Sequence, residues 1–249
     1  MSQSTSSPSS FKYLEPQPRQ PKAGEGSLLD VIASFFVAIL VVSNIASSAK
    51  IVDLGISLFS IQLAFDGGTL LFPFAYVLGD VLTEVYGFRT TRRVIWTGFA
   101  MMVLTALVFF VLGILPPEAY WEAETGGNTA YNAILGGMSY GGIVLASLTA
   151  YLAGEFSNAA VLSKLKVKMK GRLLWVRTIG STLVGELLDT VIFVLIASAA
   201  GVFGWELFWQ LVITNYILKC GIEALMTPFT YWVSRFLKKK EGIDTYDTK

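Results

Sequence analysis

The sequence predicts an all-α integral membrane protein of six transmembrane helices with both termini in the cytoplasm. Three observations predict it. The 249-residue chain is 53% hydrophobic and only 15% charged, whereas soluble chains carry about 25% charged residues. Its mean hydropathy is +0.59. The apolar residues gather into six runs of bilayer-spanning length, and Lys and Arg fall on alternate connections between them.

Residues 1–26 are rich in Ser, Gln and Pro. They hold too few apolar side chains to bury a core and read as a disordered cytoplasmic tail. No convincing cleavage pattern accompanies the first hydrophobic run, so no removable signal peptide is expected. A single membrane domain then occupies residues 27–238. Its spans run at about 28–49, 68–87, 94–115, 141–165, 174–200 and 207–237. The last is roughly 46 Å of helix at 1.5 Å per residue, so it must tilt, kink or project, and Pro228 is its kink point. Residues 239–249 form a cytoplasmic C-terminal tail.

Orientation follows from the basic residues. Lys12, Arg19 and Lys22 precede span one, and Arg89, Arg92 and Arg93 follow span two. Lys164, Lys166, Lys168, Lys170, Arg172 and Arg177 lie between spans four and five, and Arg235 and Lys238 to Lys240 close span six. The opposite connections carry Glu118, Glu122, Glu124 and Glu206 with no basic residue between Pro116 and Tyr140. Residues 51–66 alternate loosely and suit a hairpin or re-entrant cap. Tyr120, Trp121, Tyr131 and Tyr140 suit an interfacial helix or lid. The basic run after span four faces lipid headgroups and sets topology, so no nucleic-acid partner is expected.

Several chemistries are excluded. The chain has no His and one Cys, Cys220, which removes an intrachain disulfide and the usual zinc and near-neutral proton ligands. No phosphate loop or dinucleotide fingerprint occurs. No cofactor, metal or intrinsic ATPase is expected.

The intramembrane polar residues carry the functional reading, because charge at that depth needs a partner, a proton or a ligand. Gly185-Glu186-Leu187-Leu188-Asp189-Thr190 places two acids on one helical face near the middle of span five. Span two aligns Tyr76, Asp80 and Glu84, with Thr83 beside them. Glu84 is near the cytoplasmic edge, where pairing with Arg89, Arg92 or Arg93 would account for it. Span four aligns Tyr151, Glu155 and Asn158, while Ala146, Ala150 and Gly154 recur at the four-residue spacing of close helix packing. Span six aligns Asn215, Lys219 and Glu223. Lys219 must pair with Glu186, Asp189 or Glu223, and a purely structural ion network is the alternative. Cys220 reads as a packing residue.

An echo links the halves of the chain. Ser43-Asn44-Ile45-Ala46 with Lys50 matches Ser157-Asn158-Ala159-Ala160 with Lys164, and Gly79-Asp80 with Glu84 matches Gly185-Glu186 with Asp189. Three spans per half would make an inverted 3+3 repeat, as in many secondary transporters.

Carboxylates, one lysine and amides, with no mid-membrane arginine, suit a planar ligand rich in donors. A guanine-like base presents adjacent N–H groups that a carboxylate accepts in bidentate fashion, and its carbonyl would take a hydrogen bond from Lys219 or an amide. Phe72, Phe74, Tyr76 and Trp96 offer stacking planes, although such aromatics are more often core or lipid-facing.

The motifs Ser43-Asn44-Ile45-Ala46, Phe72-Pro73 leading to Gly79-Asp80-x-x-Thr83-Glu84-x-Tyr86-Gly87, Arg89 and Arg92, and Gly185-Glu186-x-x-Asp189-Thr190 resemble the queuosine precursor transporter family, grouped with the vitamin uptake transporters. The resemblance covers about residues 28–238. It implies a six-helix importer in the bacterial cytoplasmic (inner) membrane for 7-cyano-7-deazaguanine or 7-aminomethyl-7-deazaguanine, precursors for tRNA modification, rather than an enzyme. Under this reading Glu186 and Asp189 accept the ligand's donors and Asp80 or Glu84 supplies a second acid. Lys219 contacts the carbonyl or neutralises an acid. Asn44, Asn158 and Asn215 set orientation, with Glu155, Phe72 and Tyr76 completing the site. The first span shows no clear A-x-x-x-A docking motif, so an ATPase partner is not expected, and a homo-oligomer stays open. The alternatives are an importer or substrate-binding subunit for thiamine, biotin or folate, a membrane scaffold, and an intramembrane enzyme using Asp80 and Asp189 as an acid dyad.

Overall fold

The computed structural model describes residues 28–58, 61–139, 142–201 and 204–247. The N-terminal tail predicted at 1–26 lies outside them. The described residues form eight α-helices and one β-hairpin. Helix α1 is Leu28–Ala49. Strands β1 (Ile51–Leu58) and β2 (Ile61–Asp66) pair antiparallel with an irregularity between Asp53 and Ser57. A 3₁₀ turn, Gly67–Leu70, leads into α2 (Phe72–Val81), which continues as a π turn, Leu82–Tyr86. Then come α3 (Phe88–Ile114), α4 (Ala119–Thr125), α5 (Gly127–Ser139), α6 (Gly142–Lys168), α7 (Leu174–Ala199), a 3₁₀ turn at Trp205–Leu207, and α8 (Phe208–Glu241).

A helix stands at each of the six expected positions, the expected hairpin is present, and two helices, α4 and α5, occupy the connection expected to hold an interfacial helix or lid. Among the described residues three helices, α1, α3 and α7, are long and apolar enough to cross a membrane. The other three differ for physical reasons. Helix α2 is short before its π turn, and α6 and α8 carry charges along their length.

Burial is inverted relative to a soluble bundle. On α7, Leu183, Val184, Leu187 and Leu188 are exposed while Thr182, Gly185, Glu186 and Thr190 are buried. On α3, residues from Leu104 to Ile114 present exposed Leu, Val and Phe side chains. Water would penalise such a surface and lipid does not. The chain is therefore a membrane protein.

Connections gather at two ends. At one end the Leu28 N–H, at the start of α1, donates to Glu241 Oε1 at 2.8 Å. The α2–α3 link and the α6–α7 link meet the segment after α8 at this same end. These are the connections that carry the basic residues. At the other end Ser48 Oγ donates to the Ile134 carbonyl at 2.5 Å, and Tyr131 Oη donates to the Phe109 carbonyl at 2.6 Å. Glu118 caps α4 there by accepting from the Tyr120 and Trp121 N–H groups at 3.0 and 2.8 Å, which holds its carboxyl below its ordinary range.

An apolar core joins Phe36 and Leu40 of α1 to Val77 and Val81 of α2, Ile95 and Met102 of α3, and Tyr151 of α6. Tyr151 Oη donates to the Ile95 carbonyl at 3.1 Å. The most extensive helix pair is α6 with α7. They meet at Gly154 and Gly185, as the small-residue spacing predicts. A Cβ on Gly185 would lie 2.8 Å from Asn158 Cβ and 3.0 Å from the Gly154 carbonyl oxygen. Gly185→Ala should therefore cost about 1–3 kcal/mol through overpacking, read as a lower unfolding midpoint in detergent. Gly221→Ala on α8, where a Cβ meets nothing within 4 Å, should leave the midpoint level or raise it slightly.

Candidate substrate-binding site

The α6–α7 contact carries polar residues into the interior, and α2 and α8 complete the wall. Tyr76 and Asp80 come from α2, Glu155 and Asn158 from α6, Thr182, Glu186 and Asp189 from α7, and Lys219 and Glu223 from α8. Asp80 and Glu186 are 0% and 1% exposed. The sequence-predicted residues that converge are thus Tyr76, Asp80, Glu155, Asn158, Glu186, Asp189 and Lys219.

Lys219 pairs with Asp189 at 2.5 Å and with Glu186 at 3.3 Å. Glu223, the third partner considered, accepts a hydrogen bond from the Thr182 hydroxyl instead. Asn158 Nδ2 donates to Asp80 Oδ1 at 2.9 Å, and Glu223 lies beside the same carboxyl group. Tyr76 lies beside Glu186, and Glu155 approaches Gly79 of α2. Asp80 Oδ2 and Asn158 Oδ1 are buried with no hydrogen-bond partner, and Glu186 keeps acceptor capacity on both oxygens beyond its ion pair. The site can accept hydrogen bonds from a donor-rich ligand, and it can hold protons.

Two predicted residues lie elsewhere. Glu84, in the π turn, is fully buried at the basic end. Its carboxylate is gripped by Arg177 through both terminal nitrogens, Nη2 to Oε1 being 3.2 Å, and by Lys238 at 2.5 Å. The expected partners Arg89, Arg92 and Arg93 are not the ones used. The π turn aims Glu84 at the first turn of α7, away from the start of α3. Asn44 sits on α1, where its Nδ2 donates to the Leu40 carbonyl at 2.9 Å and its Oδ1 accepts from Ser147 at 3.2 Å. Asn215 is half-buried on α8, one turn before Lys219. Phe72 begins α2, and its side chain lies outside the described residues.

Sequence reasoning missed the group around Glu84. Arg177 also donates to the carbonyls of Arg172 and Gly171 at 3.1 Å each, steadying a link in which Lys170 and Leu173 adopt φ of 50°. Lys166 donates to the Glu84 carbonyl at 2.5 Å, to Asp244 at 2.5 Å and to the Thr245 carbonyl at 2.7 Å. Residues 242–247 lie across this end as a strap. The Thr245 N–H donates to the Val85 carbonyl at 3.1 Å. Asp247 accepts from the Phe88 N–H at 2.7 Å and from Ser163 at 2.8 Å. The basic count of the α6–α7 link signals topology, and nothing in it singles out the two residues that turn inward.

These findings can be set beside known proteins. Residues 66–233 match the family described as "Putative vitamin uptake transporter". The chain belongs to this family. It is similar to the "Probable queuosine precursor transporter" of Bacillus subtilis (strain 168), at 28% identity over 70% of this chain and 73% of the relative. It is also similar to the "Queuosine precursor transporter" of Escherichia coli (strain K12), at 26% identity over 78% of this chain and 82% of the relative. No solved structure matches it. The family match spans α2 to α8 and so includes every residue of the central cluster and also Glu84 and Arg177. It stops short of the strap.

The strap is held by charge. Burial opposes ionisation of Asp244, but hydrogen bonds from Lys166 and Lys238 outweigh it and hold the carboxyl below its ordinary range. A depressed folded-state value means the contribution is complete above the unfolded value, about 3.9, and is lost only as pH falls through the lower folded value. At neutral pH, Asp244→Asn should loosen the strap. The Thr245 amide should exchange with solvent roughly two- to five-fold faster, the scale of a partly exposed ion pair, as read by hydrogen-exchange mass spectrometry.

Proposed function

We propose that this chain imports queuosine precursors, 7-cyano-7-deazaguanine or 7-aminomethyl-7-deazaguanine, across the bacterial cytoplasmic membrane as a secondary transporter or facilitator. The observation that carries the reading is Glu186. It is buried in an apolar interior beside Lys219 and Tyr76, with acceptor capacity on both carboxylate oxygens. A 7-deazaguanine offers a ring N–H and an exocyclic amino group side by side, which one carboxylate accepts in bidentate fashion. Lys219 then faces the ligand carbonyl, and Asp189 holds Lys219 in place. Tyr76 borders the plane of the base. The names of the relatives favour this substrate class.

Six membrane crossings with basic connections inside complete the topology of the proposal, and the paired motifs around Asn44 and Asn158 suit two inverted halves. Ligand arrival would displace Lys219 from one acid toward the other, changing the contacts between α7 and α8. Such a rearrangement links occupancy to access, because it alters the helix pair that encloses the site.

The test is uptake. The chain is expressed in cells that neither make the deazaguanine precursors nor have their own importer, nanomolar 7-cyano-7-deazaguanine is supplied, and queuosine in tRNA is measured. Restoration is expected. Glu186→Gln should weaken uptake at limiting ligand roughly 10- to 100-fold, the scale of one charge-assisted hydrogen bond. Unchanged uptake in that variant would remove Glu186 from the site. No restoration with the protein in the membrane would favour another vitamin as substrate.

A further inference from the structure

The central cluster holds more acid than its basic residues neutralise. Five carboxyl groups, Asp80, Glu155, Glu186, Asp189 and Glu223, share the interior with Lys219, and Lys219 is committed to Glu186 and Asp189. Arg177 lies near enough to influence Asp80 but spends both terminal nitrogens on Glu84. Among the described residues no ion pair reaches Asp80, Glu155 or Glu223. Asp80 and Glu223 lie side by side on α2 and α8, and two adjacent carboxylates in an apolar medium do not both ionise.

A second observation singles out Asp80. Its Oδ1 accepts from Asn158 Nδ2 at 2.9 Å, while its Oδ2 has no partner. On the same amide, Asn158 Oδ1 also has no partner, although Asn158 is only 1% exposed. Both orphans are acceptors. An ionised Asp80 leaves both unsatisfied, and an unsatisfied buried acceptor is costly. A proton on Oδ2 turns that atom into a donor for the neighbouring Glu223 carboxylate. One proton thus gives the orphaned oxygen a partner and removes one of two facing charges. A metal ion fits less well, since no group of three acids among the described residues has the arrangement to hold one.

We propose that Asp80 is a proton-binding site, with Glu223 as the acid it exchanges with, and that the bound proton is the coupling ion of uptake. The proton is taken from water on one side of the membrane onto a carboxylate oxygen and released to water on the other, with no other bond made or broken. The groups facing the pair define its response to pH. They are Glu84 from the π turn, Glu155 and Asn158 from α6, Thr182 and Glu186 from α7, and the ion-paired Lys219 and Arg177. Asn158 gives Asp80 one hydrogen bond and Thr182 gives Glu223 one, so the two carboxyl groups hold the proton between them, and Asp80 is the one whose second oxygen is orphaned. The two groups divide the labour by position. Glu186 and Asp189 meet Lys219, while Asp80 and Glu223 lie beyond its ion pairs on the packed helices α2 and α8. Coupling to uptake rests on the substrate reading above, but proton binding does not.

The experiment has one arm for each. Infrared spectra of the purified full chain without ligand report a protonated carboxylic acid directly through its C=O band. At neutral pH the wild-type chain should show the band, and Asp80→Asn, which keeps the shape, should diminish it, since Glu155 also lies in the interior without an ion pair. Glu223→Gln should move the pH at which the band disappears, because it removes the neighbouring charge. No band in the wild-type chain, or an undiminished band in Asp80→Asn, would overturn the proposal without reference to any ligand.

In the second arm, wild-type protein in liposomes containing a pH-sensitive dye receives labelled 7-cyano-7-deazaguanine. Accumulation driven by an outside-acid gradient, with proton entry that depends on the ligand, is expected. Ligand entry without proton movement would overturn the coupling while leaving the substrate reading intact. No ligand entry at all would instead count against the substrate reading, and the infrared arm would still decide the proton site.

Discussion

The close approach of α6 and α7 at Gly154 and Gly185 is the constraint on which the interior depends. Without side chains at these two positions the backbones come near enough for Asn158 Cβ and Asp189 Cβ to pack against the neighbouring glycine. That contact sets the depth and phase at which Glu155 and Asn158 face Glu186 and Asp189. A larger residue at either position would separate the two polar faces. In lipid, where apolar side chains gain little by leaving the solvent, such packing and the polar contacts it permits supply the helix–helix attraction.

The helices so fixed hold two charged groups with opposite balance. At the basic end, Glu84 and Asp244 meet Arg177, Lys166 and Lys238, and every partner is engaged. That group joins the π turn, α6, α7, α8 and the strap. It behaves as a fastener, since removing one member would strand a buried charge. The central group is different. Acids outnumber bases there, buried acceptors lack donors, and Lys219 is shared by two carboxylates at unequal distances. A satisfied network resists change, whereas an unsatisfied one responds to whatever supplies the missing protons or donors.

Much of this was legible in the sequence. The six helix positions followed from apolar length, the shared end of the basic connections from Lys and Arg, and the α6–α7 seam from Ala146, Ala150 and Gly154. Glu186, Asp189 and Lys219 announced themselves because charge inside a long apolar run demands a partner. What stayed hidden was pairing between distant parts of the chain. Helical spacing put Glu84 in one row with Tyr76 and Asp80, but the π turn breaks the α-helical phase and gives Glu84 to Arg177. Arg177 and Lys166 belong to a basic run whose other members read as a topological signal, and no local pattern separates those that turn inward. The strap escaped notice because Asp244 and Asp247 lie in a short polar segment with no periodicity.

The contrast between the two groups also bears on which acids take part in transport. A carboxylate held by a bidentate arginine and a lysine has no acceptor capacity to spare, and displacing those partners would strand cations as well as the acid. Glu84 therefore makes a poor ligand contact despite its place in the motif. Glu186 is the opposite case, since its lysine is shared with Asp189 and can lean either way at little cost. Asp80 is a third case, with an amide on one oxygen and nothing on the other. Under the two proposals above, Glu84, Glu186 and Asp80 divide into a fastener, a ligand acceptor and a proton holder. The division follows from what each oxygen already touches, and depth in the membrane alone would not have made it.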